Sequence, residues 1–155
     1  MRTARIYLET TMFNYYFDRE RDAHPYTKNL FEEVKSGKYL AYTSVYVITE
    51  LLKAPEDKRS LMLGLIREYD IVTLDRSDEA ERLAGMYTRE GVIPERFKMD
   101  AVHIAVTTVY DLDMILSLNF KHIVKKKTMD LTALVNVREG YRRVGIFTPM
   151  EVVEE

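Results

Sequence analysis

The chain has 155 residues, of which 46% are apolar and 31% charged, the composition of one ordinary globular domain built on one core. With 25 acidic against 23 basic residues the net charge is −2, so total charge draws nothing toward nucleic acid and any such contact requires a local basic patch. Cysteine is absent, which excludes disulfides, thiolate metal sites and cysteine nucleophiles and leaves oxygen and imidazole as the metal ligands. No apolar run reaches the roughly 18 residues needed to cross a bilayer, and residues 1–9 are too short and polar for a signal peptide, so a cytoplasmic protein without a membrane partner is expected.

Taken in chain order, Arg5 to Leu8 is a β-branched and aromatic run that predicts a strand, and Glu9-Thr10-Thr11 has the character of a helix start. Met12 to Phe17 is heavily aromatic. Tyr26 to Lys35 carries Leu30, Phe31 and Val34 at helical spacing and stops at Ser36-Gly37. A strand at Tyr39 to Tyr42 follows, and Thr43-Ser44 caps a helix through Lys53 whose apolar face is read as Val45, Ile48, Leu51 and Leu52. Helices are expected at Asp57 to Arg67 and Ser77 to Glu90, on either side of a short strand at Ile71 to Leu74. An apolar helix at Arg96 to Tyr110, a strand at Asp113 to Leu118, a helix at Val124 to Val135 and a strand at Arg143 to Phe147 complete the pattern. Alternating strands and helices imply a mostly parallel sheet covered on both faces, a three-layer α/β/α arrangement in one domain spanning residues 1–155. Ligands of such sheets bind beyond the carboxyl ends of the strands.

Four oxygen-bearing side chains fall on that edge: Glu9 after the first strand, Glu50 in the helix after the second, Asp100 in the first turn of the apolar helix, and Asn119 after the Asp113 to Leu118 strand. Carboxylates gathered there repel one another unless a cation sits among them, and hard oxygen ligands favour Mg²⁺ or Mn²⁺, which can acidify a water for attack on a phosphodiester. Each residue also has an ordinary reading. Asp100 suits a helix N-terminus, Glu50 lies away from the expected apolar face of its helix, and Glu9 and Asn119 suit turns. His103 shares a helical stripe with Asp100, Ile104 and Thr107 and is either a core histidine or a site residue, whereas His24 and His122 have no partner at ligand spacing. Lys98, Lys121, Lys125, Lys126 and Lys127 surround the proposed site as candidate RNA-phosphate contacts, or as a solvated helix start. For Phe13, Tyr15, Tyr16 and Phe17 core packing is the commoner fate, but four aromatics in five positions cannot all face inward from one helix, so the remainder suits base stacking or a dimer or antitoxin surface.

The segments IYLETTMFNYYF, TSVYVITELLKAP, MDAVHIAVTTVYDLDMILSLNFKHI and VGIFTPMEV resemble the successive motifs of PIN domains, over Ile6 to Val152. The resemblance implies an α/β/α PIN-like fold around a parallel sheet and a relation to VapC-type toxins. Those are Mg²⁺-dependent ribonucleases that dimerise and pair with an antitoxin. It implies that Glu9, Glu50 and Asp100 occupy the three acidic metal positions, with Thr11 as the hydroxyl beside the first acid and Asn119 where many members carry a fourth acid. Glu9 is a methylene longer than the usual Asp, and Asn119 withdraws a negative charge, which weakens a second metal site. A PIN-fold module that binds RNA or a protein partner without turnover is the alternative.

Overall fold

The computed structural model describes residues 2–154. Five short strands, β1 (Ala4–Leu8), β2 (Tyr39–Ser44), β3 (Val72–Leu74), β4 (Met114–Leu116) and β5 (Gly145–Phe147), form one sheet in the order β3-β2-β1-β4-β5, with every neighbouring pair parallel. Flanking it are α1 (Thr10–Phe17), α2 (His24–Lys35), α3 (Val45–Leu51), α4 (Glu56–Glu68), α5 (Asp78–Arg89), α6 (Lys98–Val109), α7 (Lys126–Arg138) and α8 (Pro149–Val152). A 3₁₀ turn at Glu95–Phe97 leads into α6.

The central strand is β1, where Ile6, Tyr7 and Leu8 are all fully buried. From it the chain winds outward through β2 and β3, then crosses back to add β4 and β5 on the other side. The order therefore reverses between β1 and β4, whose register pairs Leu8 with Leu116. That reversal opens a crevice at the carboxyl ends of these two strands, and the residues that follow, Glu9 and Ser117, stand at its mouth. Ala101 to Thr108 of α6 are buried without interruption, as an apolar-all-round helix requires. This helix packs along α5 and also reaches α3 and β4. Its buried threonines satisfy themselves locally, the Thr107 and Thr108 hydroxyls donating to the carbonyls of His103 and Ile104.

Three details differ from the sequence expectation. In α3 the buried side chains are Tyr46, Val47 and Leu51, while Leu52 is 50% exposed. The apolar face is thus rotated from the expected one, because the Tyr46 hydroxyl is drawn to Glu81 and to the Ser77 amide of the neighbouring segment. Glu50, three residues after Val47, then lies beside the inward stripe rather than away from it. The β4 ladder stops at Leu116, two residues early, because Ser117 and Leu118 turn toward α1. The short α8 is an addition to the expected elements, although Thr148, Pro149 and Glu151 spell a helix start, and the Thr148 amide and hydroxyl both donate to Glu151 Oε1.

The amino edge of the sheet is fastened by Asp113. Its carboxylate accepts the Arg5 amide at 2.7 Å and pairs with the guanidinium groups of Arg2 and Arg142. Burial pushes this carboxyl up, but those donors outweigh it and hold Asp113 below the usual aspartate range. A depressed folded-state value adds stability that is complete above the ordinary aspartate pKa and is lost as pH falls through the folded one. Asp113→Asn should therefore destabilise the protein at neutral pH by about 1–3 kcal/mol and flatten the acid limb of a denaturation-midpoint-versus-pH curve. An unchanged acid limb would show that Asp113 does not carry it.

Candidate active site

The site begins where β1 ends. Glu9 is extended (φ −79°, ψ 163°) and caps α1, its Oε1 accepting the Thr11 amide at 3.2 Å, the Thr11 hydroxyl at 2.6 Å and the Ser117 hydroxyl at 2.7 Å. The residue is only 3% exposed. Burial pushes its carboxyl up, opposed by the charge of His103 and by the Thr11 and Ser117 donors, and the net displacement is upward. Thr11 and Ser117 each serve twice. Thr11 Oγ1 also accepts the Leu118 amide at 2.7 Å, and Ser117 Oγ accepts the Asn119 amide at 3.0 Å. The first acid thus fixes both the start of α1 and the loop that leaves β4.

Glu50 projects from α3 toward the same edge. Its Oε1 accepts the Thr10 hydroxyl at 2.6 Å and His103 Nε2–H at 2.5 Å. His103 is fully buried, and its other ring nitrogen lies 2.7 Å from the Tyr7 hydroxyl, which itself lies 2.7 Å from Ser44 Oγ. Burial pushes Glu50 up, but the His103 hydrogen bond and charge and the Thr10 hydroxyl outweigh it, so the carboxylate is held below its ordinary value. His103 responds in the opposite sense. Burial disfavours its charge, yet the Glu50 bond and the charges of Glu50, Glu9 and Asp100 together raise it above the ordinary imidazole value. Burial holds Tyr7 well above the usual phenol value, so it remains a neutral hydrogen-bonding partner.

Asp100, in the first turn of α6, pairs through Oδ2 with His122 Nδ1 at 3.0 Å. The His122 ring is 8% exposed and lies against Phe97, with centroids 3.9 Å apart. The amide of His122 donates to Asn119 Oδ1 at 3.1 Å, and its carbonyl accepts the Thr128 hydroxyl at 2.8 Å. A closed circuit results: Glu9 leads through Ser117 and Asn119 to His122 and Asp100. From there α6 leads to His103, Glu50 and Thr10, which is bonded in sequence to Glu9.

All four oxygen-bearing residues of the sequence reading therefore join one edge. Asn119 spends Oδ1 on the loop, as its turn reading has it. As the side chains stand, Glu50 and Asp100 face imidazoles rather than each other. Among the described residues no three acidic or histidine groups converge closely enough to enclose an ion. The donor chemistry nevertheless suits a hard divalent cation. Among the described residues, Glu9, Glu50 and Asp100 each commit one carboxylate oxygen to hydrogen bonds and leave the other without a partner.

Thr10, Ser117, Tyr7 and His122 are site residues that the sequence reading does not single out. Ser117 is hidden by extending the strand to Leu118, and His122 by searching for partners at sequence spacing when its partner, Asp100, lies 22 residues away. Of the lysines, Lys121 and Lys125 border a recess beside His122 together with Lys127, whereas Lys126 pairs with Asp130 at 2.7 Å and Lys98 is exposed outside the recess. His24 donates through Nδ1–H to the Tyr15 carbonyl of α1 and stands outside the circuit. The aromatic run of α1 is absorbed by the core. Phe13 is fully buried and Tyr15, Tyr16 and Phe17 pack against the core, with Tyr16 edge-on to Phe17, Phe31 and Tyr69. α2 and the end of α4 pack against α1 and leave Tyr15, Tyr16 and Phe17 half-buried.

No protein-family model matches the chain, and no curated protein sequence matches it. Solved structures do. A chain of the VapBC2 complex of Rickettsia felis, bound to a DNA fragment from their promoter, superposes with a TM-score of 0.58 at 12% identity, covering 93% of this chain and 98% of that one. Mycobacterium tuberculosis VapC20, a toxin that cleaves the sarcin–ricin loop, superposes with a TM-score of 0.58 at 14% identity, covering 79% and 97%. The fold is the three-layer α/β/α fold of these VapC neighbours, PIN-like as the motifs imply, with its central sheet parallel throughout.

Thr11→Val keeps the branched shape but removes the hydroxyl that joins Glu9 to the Leu118 amide. It should cost about 2 kcal/mol in chemical denaturation, and Thr11→Ser should recover most of that stability. A Val variant as stable as wild type would show that the hydroxyl bridge is not structural.

Proposed function

We propose that the chain is a metal-dependent endoribonuclease that hydrolyses RNA phosphodiester bonds, acting as the toxin of a cytoplasmic toxin–antitoxin pair, with Mg²⁺ or Mn²⁺ as its cation. The observation that carries this reading is the assembly of Glu9, Glu50 and Asp100 at one sheet edge, each with a carboxylate oxygen to spare. Those three residues would hold the cation. When bound, such an ion polarises a phosphoryl oxygen and acidifies a water, so the protein needs no nucleophile of its own. The chain's own residues aim the carboxylates: Thr11 and Ser117 fix Glu9, His103 and Thr10 fix Glu50, and His122 fixes Asp100. His103 is set behind Glu50 and near Glu9, whose charges push its imidazole above the ordinary value, so a proton held there would offset the repulsion between those carboxylates.

The shared fold with VapC20, a toxin that cleaves RNA, and with a chain of VapBC2, a toxin–antitoxin complex on DNA, supports both the nuclease reading and an antitoxin partner. A homodimer follows from the PIN-domain resemblance. No helix among the described residues is long and apolar enough to cross a membrane. A module that binds RNA or protein without turnover is favoured by one observation, the spending of Asn119 Oδ1 on the His122 amide where a fourth acid would otherwise stand.

The deciding experiment incubates a mixed RNA pool with the purified protein and Mg²⁺ or Mn²⁺, against EDTA and against Asp100→Asn prepared in parallel. Cleavage should require the metal and fall by about a hundredfold or more in the variant. Cleavage persisting in Asp100→Asn would identify a contaminant. Absence of cleavage, with no Mn²⁺ uptake at millimolar concentration by calorimetry, would leave the binding module.

A further inference from the structure

Next to the acidic edge lies a recess of about 200 Å³ whose rim carries Arg96, Lys121, Lys125 and Lys127 and whose inner wall is Phe97 and His122. Among the described residues none of these four cations has a carboxylate partner, whereas Lys126, within the same lysine run, is paired with Asp130. In a chain with more acids than bases, four uncompensated positive charges around one small hollow mark a place where a negative group is missing. The cations are also partly positioned. The Arg96 guanidinium lies 5.0 Å and the Lys121 ammonium 5.9 Å from the Phe97 ring centre, and the same ring packs against His122.

His122 is the partition between this recess and the acidic site. One ring nitrogen is bonded to Asp100, while the other has no partner among the described residues, and the residue is buried, at 8% exposure. The recess is therefore one imidazole away from the Asp100 carboxylate. It opens to solvent and has room for a phosphodiester group.

We infer that this recess seats a backbone phosphate of single-stranded RNA adjacent to the bond presented to Glu9, Glu50 and Asp100. The inference rests on the nuclease reading for what happens to that bond, but not for the binding itself. A flexible single strand can turn one phosphate into a concave recess, whereas a duplex presents its phosphates along a rigid outer path. The four charges are clustered rather than strung along a groove, which suits the first case. The assignment differs from the set expected from sequence: Arg96 enters, and Lys98 and Lys126 leave.

The test is fluorescence anisotropy with a labelled 12-nucleotide single-stranded RNA in EDTA, so that nothing is cleaved, repeated over a range of salt. A Lys121→Ala, Lys125→Ala, Lys127→Ala triple variant should bind about tenfold more weakly or worse, and the slope of log Kd against log salt should flatten by about 0.7 for each phosphate that the variant no longer neutralises. Arg96→Gln alone should show the same change in smaller degree, and Lys126→Ala should bind as wild type does. Should the triple variant melt early, Arg96→Gln and Lys125→Gln singly give the same reading. Unchanged affinity and slope in the variants, an equal weakening in Lys126→Ala, absence of RNA binding by the wild type, or equally tight and equally recess-dependent binding of a 12-base-pair DNA duplex would each overturn the inference. Recess-dependent RNA binding by a protein that cleaves nothing would support the recess and discard the nuclease.

Discussion

A carboxylate that is almost wholly buried holds this structure's working edge together. Glu9 has left water without an oppositely charged partner on its own oxygens, and desolvation of such a group is costly unless hydrogen bonds replace the hydration. Two hydroxyls and one amide do so, and they come from both sides of the crevice: Thr11 from α1 and Ser117 from the exit of β4. Satisfying this one charge fixes where α1 starts, where β4 ends and how the following loop turns. Everything else in the site is hung on those three points.

The other two acids use a different solution. Glu50 and Asp100 each face an imidazole, and the two imidazoles have unlike surroundings. His103 is sealed between α6 and the central strand, with its second nitrogen on the Tyr7 hydroxyl. His122 stands at the rim against Phe97, with its second nitrogen unpartnered among the described residues. The first imidazole belongs to the core and the second lines a recess. Asp100 and His103 are three residues apart on α6, so one turn of that helix supplies the acid of one pair and the imidazole of the other.

Much of this is legible in the amino-acid pattern. The strand and helix alternation, the parallel sheet and the edge on which the acids fall follow from periodicity and from short turn signals such as Ser36-Gly37 and Ser77. What is illegible depends on tertiary contact. The inward face of α3 is set by a hydrogen bond from Tyr46 to Glu81, 35 residues away, so a helical wheel of α3 alone turns Glu50 outward. Ser117 cannot be told from a strand residue while the pull of Glu9 is invisible, and which aromatics of α1 face inward depends on how α2 and Tyr69 pack against it. Lysines 125, 126 and 127 are consecutive in sequence, and only the position of Asp130 one turn on separates Lys126 from its neighbours.

The bond between Ser117 and Glu9 spans 108 residues. Closing a loop of that length carries an entropic cost that the site's own contacts repay only once β1 and β4 are paired. The pairing of Leu8 with Leu116 and the capping of Glu9 arise together with the completed sheet. The acids exist in every unfolded or half-folded chain, but their arrangement belongs only to the finished one, and whatever chemistry they perform is switched on by folding itself.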